Sequence, residues 1–138
     1  MKNFLQICLL FCSIAMVAIT GCKKDDEPAR DKFIGSYTVT EACSQTGNSS
    51  YSMSITASTS NDDAIVMTGF GNFATTAAVT ATVNGDNLTI AAQTLTINGI
   101  AVNISNGTGA INDNLLTVTY TYSVQGGGES CTSTCTKL

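Results

Sequence analysis

From Phe33 to Leu138 the chain alternates between apolar and Ser/Thr residues with a period of two, and turn residues interrupt that alternation at short intervals. A period of two places alternate side chains on opposite faces of a strand, and a helix cannot satisfy it. Phe33, Gly35, Tyr37 and Val39 alternate with Ser36, Thr38 and Thr40, which predicts a first strand ending near Cys43. Gln45–Asn48 reads as a loop. Tyr51, Met53, Ile55 and Ala57 then mark a second strand, and Ser60–Asp63 a turn. Further strands are expected over 64–70, 75–83, 88–90, 94–97, 100–104, 108–111, 115–124 and 131–138. Asn84-Gly85-Asp86-Asn87, Asn98-Gly99, Asn112-Asp113-Asn114 and Gly126-Gly127-Gly128 separate several of them. Asn-Gly pairs tolerate the positive φ of tight hairpins. No apolar set sustains a period of 3.6 in this region, so no helix is expected there.

An internal echo supports a run of hairpins. Val83-Asn84-Gly85-Asp86-Asn87-Leu88-Thr89-Ile90 returns in chemical type 28 residues later as Ile111-Asn112-Asp113-Asn114-Leu115-Leu116-Thr117-Val118. Some eight or nine short strands in 106 residues, joined in sequence order without a long crossover, predict an all-β domain. A small antiparallel up-and-down barrel is favoured, with a two-sheet β-sandwich as the alternative.

The first 32 residues read differently. A short basic start, an apolar run from Phe4 to Ile19 and small residues at Thr20-Gly21 form the tripartite plan of a secretory signal. An uncleaved spanning helix would need ~20 apolar residues, slightly more than this run supplies. Ile19-Thr20-Gly21-Cys22 resembles the lipobox of bacterial lipoproteins. The resemblance implies cleavage after Gly21, a signal peptide over 1–21 and a covalent lipid on Cys22. Each buried CH₂ of such a lipid contributes ~0.8 kcal/mol, so two or three chains hold a protein firmly on a membrane. Lys23-Lys24-Asp25-Asp26-Glu27 resembles the export signal of surface lipoproteins of Bacteroidota, which implies the outer face of the outer membrane. Residues 22–32 read as a charged, flexible tether and 33–138 as the folded domain.

The domain start Phe33-Ile34-Gly35-Ser36-Tyr37 resembles the first strand of lipocalin-like domains, with Tyr37 where that family usually has Trp. The chain is similar to small lipocalin-like lipoproteins of Bacteroidota. The likeness rests on Gly35-x-Tyr37, Cys43 after the first strand, the Asn-Gly hairpins and the ending Cys131-x-x-x-Cys135-x-Lys137. It implies a barrel that binds a small apolar ligand at its mouth. Candidate lining residues are Tyr37, Tyr51, Met53, Val79, Tyr120 and Tyr122. The competing expectation is that these side chains fill a solid core and that the protein is an interaction subunit of an outer-membrane assembly. Outward threonines such as Thr117, Thr119 and Thr121 would then meet water or a partner.

Three cysteines remain once Cys22 is lipidated, in a compartment that permits disulfides. Closing a barrel by antiparallel pairing of its first and last strands sets residues 36–43 against 131–138, with Cys43 opposite Cys131. That predicts a Cys43–Cys131 disulfide and leaves Cys135 as a small buried apolar residue. Cys131 and Cys135 on one strand would stand ~13 Å apart, too far to bridge.

Composition narrows the chemistry. From Phe33 onward Lys137 is the sole cation against six acids, so a nucleic-acid backbone is not an expected partner. The chain has no His, which removes the usual base of nucleophilic triads and the commonest metal ligand. Asp62-Asp63 and the Asn84–Asn87 turn lack the spacing of a calcium loop. Glu41, Asp62, Asp63, Asp86, Asp113 and Glu129 fall singly in turns or near strand ends, where solvated rather than tuned carboxylates are expected. No enzyme activity, metal or cofactor beyond the covalent lipid is expected. The anchor is directly testable: Cys22→Ser should abolish incorporation of radioactive palmitate, and a labelled variant would overturn the lipobox reading.

Overall fold

The computed structural model describes residues 27–138, and the expected signal peptide, lipid-attachment Cys22 and Lys23–Asp26 lie outside them. Nine strands follow in order: β1 Gly35–Cys43, β2 Gly47–Ala57, β3 Ala64–Thr68, β4 Ala78–Asn84, β5 Asn87–Ile90, β6 Gln93–Ile97, β7 Ile100–Asn112, β8 Leu115–Val124 and β9 Gly127–Lys137. Every pairing is antiparallel. Each strand pairs with the next in sequence except β5 with β6, which both pair with β7, and β9 returns to β1. The sheet is therefore a closed up-and-down barrel, and the sandwich alternative is set aside.

Nine segments occupy eight barrel positions. β5 pairs with the second half of β7 and β6 with its first half, so β5 and β6 together fill one place in the ring. β4 pairs with β5 only from Thr82 to Asn84. Beyond that the Gln93 amide stands in for a peptide: its Oε1 accepts from Thr80 N at 3.0 Å and its Nε2 donates to Thr80 O at 2.9 Å.

Alternation sets the faces. In β4 the even positions Thr80, Thr82 and Asn84 are exposed while Val79, Ala81 and Val83 are buried. β9 repeats this with Cys131, Ser133 and Cys135 inside and Thr132, Thr134 and Thr136 outside. Tyr37, Val39, Ile55, Ile65, Met67, Leu88, Ile90, Leu116 and Val118 fill the interior. Eight strands enclose just enough width for such side chains to meet. The outer face is the reverse of a transmembrane barrel, which carries its apolar band outside.

The structure corrects several expected boundaries. β2 begins at Gly47, because the turn needs only Ser44–Thr46. β3 ends at Thr68, and Phe70–Asn72 forms a short 3₁₀ turn. The strands expected over 100–104 and 108–111 are one strand: a bulge between Ile104 and Asn106 inserts Ser105 and flips the alternation, which made one strand read as two. The last hairpin turns at Gln125-Gly126, where both φ angles are positive, and Gly127 and Gly128 already belong to β9. Ala29–Lys32, read as tether, join Phe33 in a 3₁₀ turn packed against β2, β3 and β4.

The β1–β9 register pairs Tyr37 with Lys137 and Cys43 with Cys131. Cys43 and Cys131 form the disulfide, across 88 residues of chain, and Cys135 is a free, buried thiol. Burial, and then the nearby Glu41 charge, push the Cys135 thiol up to about 12, which makes it a poor nucleophile at neutral pH. Closing so long a loop contributes roughly 4 kcal/mol on chain entropy. Replacing both bridge cysteines with Ser should lower the melting temperature by about 15 °C or more while the native far-ultraviolet spectrum persists at low temperature. An unchanged melting temperature would show that the bridge does not stabilise the ring.

Candidate functional site

The two ends of the barrel differ. At one end the Ala29–Phe33 turn is a plug. Phe33 is fully buried, and Tyr37 Oη donates to its carbonyl at 2.7 Å. Arg30 Nη1 donates to Ser58 O at 3.2 Å and Asn61 O at 3.0 Å, across the β2–β3 turn. Lys32 pairs with Asp86, and Lys137 Nζ donates to Lys32 O at 3.0 Å.

The other end holds a cavity of about 490 Å³. Its walls come from the β1–β2 turn, the β3–β4 connection, the β6–β7 hairpin and the end of β8. Phe73, Ile97, Ile100, Val102, Tyr122 and Val124 give it a largely apolar lining. The β3–β4 connection can fold there because Gly69 and Gly71 take φ of 78° and 66°. A Cβ on Gly69 would lie 2.8 Å from Ser52 O. The connection then sets Phe70 against Tyr120, with ring centroids 4.5 Å apart, and Phe73 edge-on to Tyr122 at 5.2 Å.

Glu41 also lines this cavity. It is only 3% exposed, contrary to the solvated carboxylate expected from its place near a strand end. Its phase explains why: Glu41 follows Tyr37 and Val39 on the inward side of β1. Oε1 accepts three hydroxyl bonds, from Tyr51 at 2.9 Å, Tyr120 at 2.8 Å and Ser133 at 2.7 Å. Tyr51 Oη in turn accepts from Gly71 N at 3.0 Å, tying the network to the wall of the mouth. A buried carboxylate is costly unless hydrogen-bonded, and these three donors offset that cost. Burial first, and then the Glu41 charge, push the Tyr51 and Tyr120 phenols far above their ordinary value.

Glu41, Cys43 and Cys131 bring a carboxylate oxygen and two sulfurs within 4.8 Å of one another. Both sulfurs are committed to the disulfide, so this trio does not offer thiolate ligands. Glu129, also expected to be solvated, sits half-buried at the rim. The Tyr122 hydroxyl donates to it, as do the backbone N–H groups of Gln45 and Thr46. The Tyr122 bond first, and then those backbone donors, hold its carboxyl below the ordinary range.

Of the six expected lining residues, only Tyr122 lines the cavity. Tyr37, Met53, Val79 and Tyr120 are buried in the packed interior, and Tyr51 stands behind Glu41 as a hydrogen-bond donor. Thr117 and Thr119 face outward as expected, and Thr121 is half-buried. Glu27 is exposed. Sequence reasoning missed Glu41 and the wall residues Phe73, Ile97, Ile100, Val102 and Val124. The inward phase of β1 was the available signal for Glu41. The wall required knowing which turns share one end of the barrel.

No protein-family profile matches the chain, and no curated protein sequence does. Among solved structures, a putative outer membrane protein from Bacteroides fragilis is similar, with a TM-score of 0.52 at 14% identity. The match covers 80% of this chain and 53% of that one, so the chain spans about half the length of the structure it resembles. A likeness at that identity concerns the fold.

All four tyrosines titrate above their ordinary value, Tyr37 at about 12 and the other three higher still. The unfolded chain would release these protons near pH 10. The stability tied to the protonated phenols is therefore complete below pH 10 and is lost as pH rises from there towards and beyond 12. Phenolate absorbance should stay low in the native protein at pH 11 and appear there in guanidinium. A native titration curve superimposable on the denatured one would contradict this.

Proposed function

We propose that this chain is a lipid-anchored lipoprotein of the Bacteroidota outer membrane, facing the cell surface, whose lipocalin-like barrel takes a small apolar molecule at its mouth. The observation that carries the binding half is the cavity of about 490 Å³. It lies within the ~300–1,000 Å³ common for ligand sites, and its apolar walls and single buried carboxylate fit the usual pattern of such sites. The filled-core alternative, an accessory subunit without a pocket, has no use for such a space.

The anchoring half is supported by the resemblance of Ile19-Thr20-Gly21-Cys22 to a lipobox and by the outer face of the barrel. Strands with Thr, Ser and Asn outside belong in water, so attachment would fall to a lipid at the N-terminus. The chain enters the barrel through the plugged end, and an anchor at Cys22 would leave the mouth pointing away from the bilayer. The similar fold of a putative outer membrane protein from Bacteroides fragilis agrees with that compartment. Binding rather than catalysis is the proposed activity, with no cofactor beyond the lipid and no nucleic-acid partner.

The test is uptake of the neutral fluorophore N-phenyl-1-naphthylamine by the lipidated protein in nanodiscs. Ala74→Trp, which places an indole in the cavity wall, reports the background from lipid, and Ser49→Trp is an independent plug. Saturable fluorescence in the unmodified protein that both plugged variants lose is the expected result. Equal fluorescence in all three would overturn the ligand-binding reading in favour of the accessory subunit.

A further inference from the structure

We propose that Glu41 is the recognition group of the mouth cavity and that its ligand carries a protonated amine on an apolar body. This rests on the ligand-binding reading above and adds the chemical class of the ligand. Glu41 meets the cavity with a carboxylate that the protein satisfies on one side only. The three hydroxyl donors all converge on Oε1. None of the three donor residues lines the cavity. Among the described residues no donor reaches Oε2. A carboxylate has acceptor sites on both oxygens, so a group that is 3% exposed keeps one oxygen for whatever enters.

Charge decides between ligand classes. The lining includes no Lys or Arg. A fatty-acid carboxylate would bring a second negative charge against Glu41 with nothing to neutralise either. A wholly apolar ligand would bury the free oxygen without a partner, which costs more for a charged group than for a neutral one. A hydroxyl would satisfy it with one neutral donor. An ammonium supplies several donors and the opposite charge, and charge-assisted bonds are about twice as strong as neutral ones. The Phe73 and Tyr122 rings in the wall accept an alkyl chain, and their faces also favour a cation.

The network fixes the carboxylate before a ligand arrives. Oε1 is held from β2, β8 and β9 at once, so the carboxylate needs little further ordering, which reduces the entropic cost of binding. Metal binding by the neighbouring sulfurs would require reducing the disulfide, and the amine needs no such change.

The experiment displaces N-phenyl-1-naphthylamine from the lipidated protein in nanodiscs with n-hexylamine, 1-hexanol or hexanoate at neutral pH. The Ala74→Trp signal is subtracted throughout. Hexylamine should displace the probe at a concentration at least about tenfold below hexanoate, as expected for a hydrogen bond to a charged group, with hexanol between them. With displacement read relative to each variant's own probe affinity, Glu41→Gln should bring the three displacers within about twofold of one another. The rim variant Glu129→Gln should keep the amine preference. Absence of probe binding would sink the cavity reading itself. Probe binding without amine preference, or a preference that survives Glu41→Gln or disappears in Glu129→Gln, would overturn the assignment of Glu41 alone. Should Glu41→Gln not fold, the displacement series on the unmodified protein and on Glu129→Gln decides.

Discussion

The antiparallel pairing of β1 with β9 turns a meander into a ring, and the remaining features depend on its register. Tyr37 meets Lys137, Val39 meets Cys135, Glu41 meets Ser133 and Cys43 meets Cys131. In a sheet with a period of two, slipping one residue would move each strand's apolar set to the outer face. The Cys43–Cys131 bridge pins the open end of this pairing. At the other end Lys137 reaches the Lys32 carbonyl of the plug. Closure removes the free edges that β1 and β9 would otherwise present to another chain.

Within the ring, side-chain size is matched across strands. Tyr120 needs space, and Gly107, its partner on β7, provides it: a Cβ there would lie 2.9 Å from Tyr120 Cβ and 3.0 Å from Ile90 Cδ1. Gly109, opposite Val118, is similarly crowded. Large residues with small partners fill the barrel from the plug up to Tyr120. Towards the mouth that filling stops, and the β3–β4 connection and the β6–β7 hairpin stand apart to leave the cavity. Barrel width alone would have allowed a solid interior. The open space follows from where the glycines, the bulge at Ser105 and the Phe70–Asn72 turn place the walls.

The fold was legible because alternation and hairpin residues are local signals. β1, β4 and β8 follow directly from their apolar phase, and the ring closure could be derived from strand order. Legibility failed where a local signal is ambiguous or the information is not local. Ser105 flips the phase of β7, so a continuous strand resembles two. Tyr37, Tyr51 and Tyr120 are aromatic and inward, which suggested a ligand wall. Their hydroxyls serve other partners: Tyr37 the Phe33 carbonyl, and Tyr51 and Tyr120 the Glu41 carboxylate. Glu41 was misjudged because its position near a strand end outweighed its phase. Phase is the better guide, since the side chain's direction is fixed by the pleat and not by distance from the turn.

Glu41 also shows that site and fold are a single cooperative object. Its donors lie 10, 79 and 92 residues away in sequence, on β2, β8 and β9. No partly folded hairpin can assemble that set, so the carboxylate is satisfied only after β9 has closed on β1. Before closure it is better left in water, where it keeps its hydration. The network thus favours the closed ring over open alternatives, and the Tyr51 bond to Gly71 extends the same dependence to the wall of the mouth. Any ligand that engages Oε2 binds the closed barrel and not the open chain. It must then stabilise closure by an amount that grows with its concentration over its dissociation constant. Binding of such a ligand and closure of the ring would be linked equilibria, coupled through a single side chain.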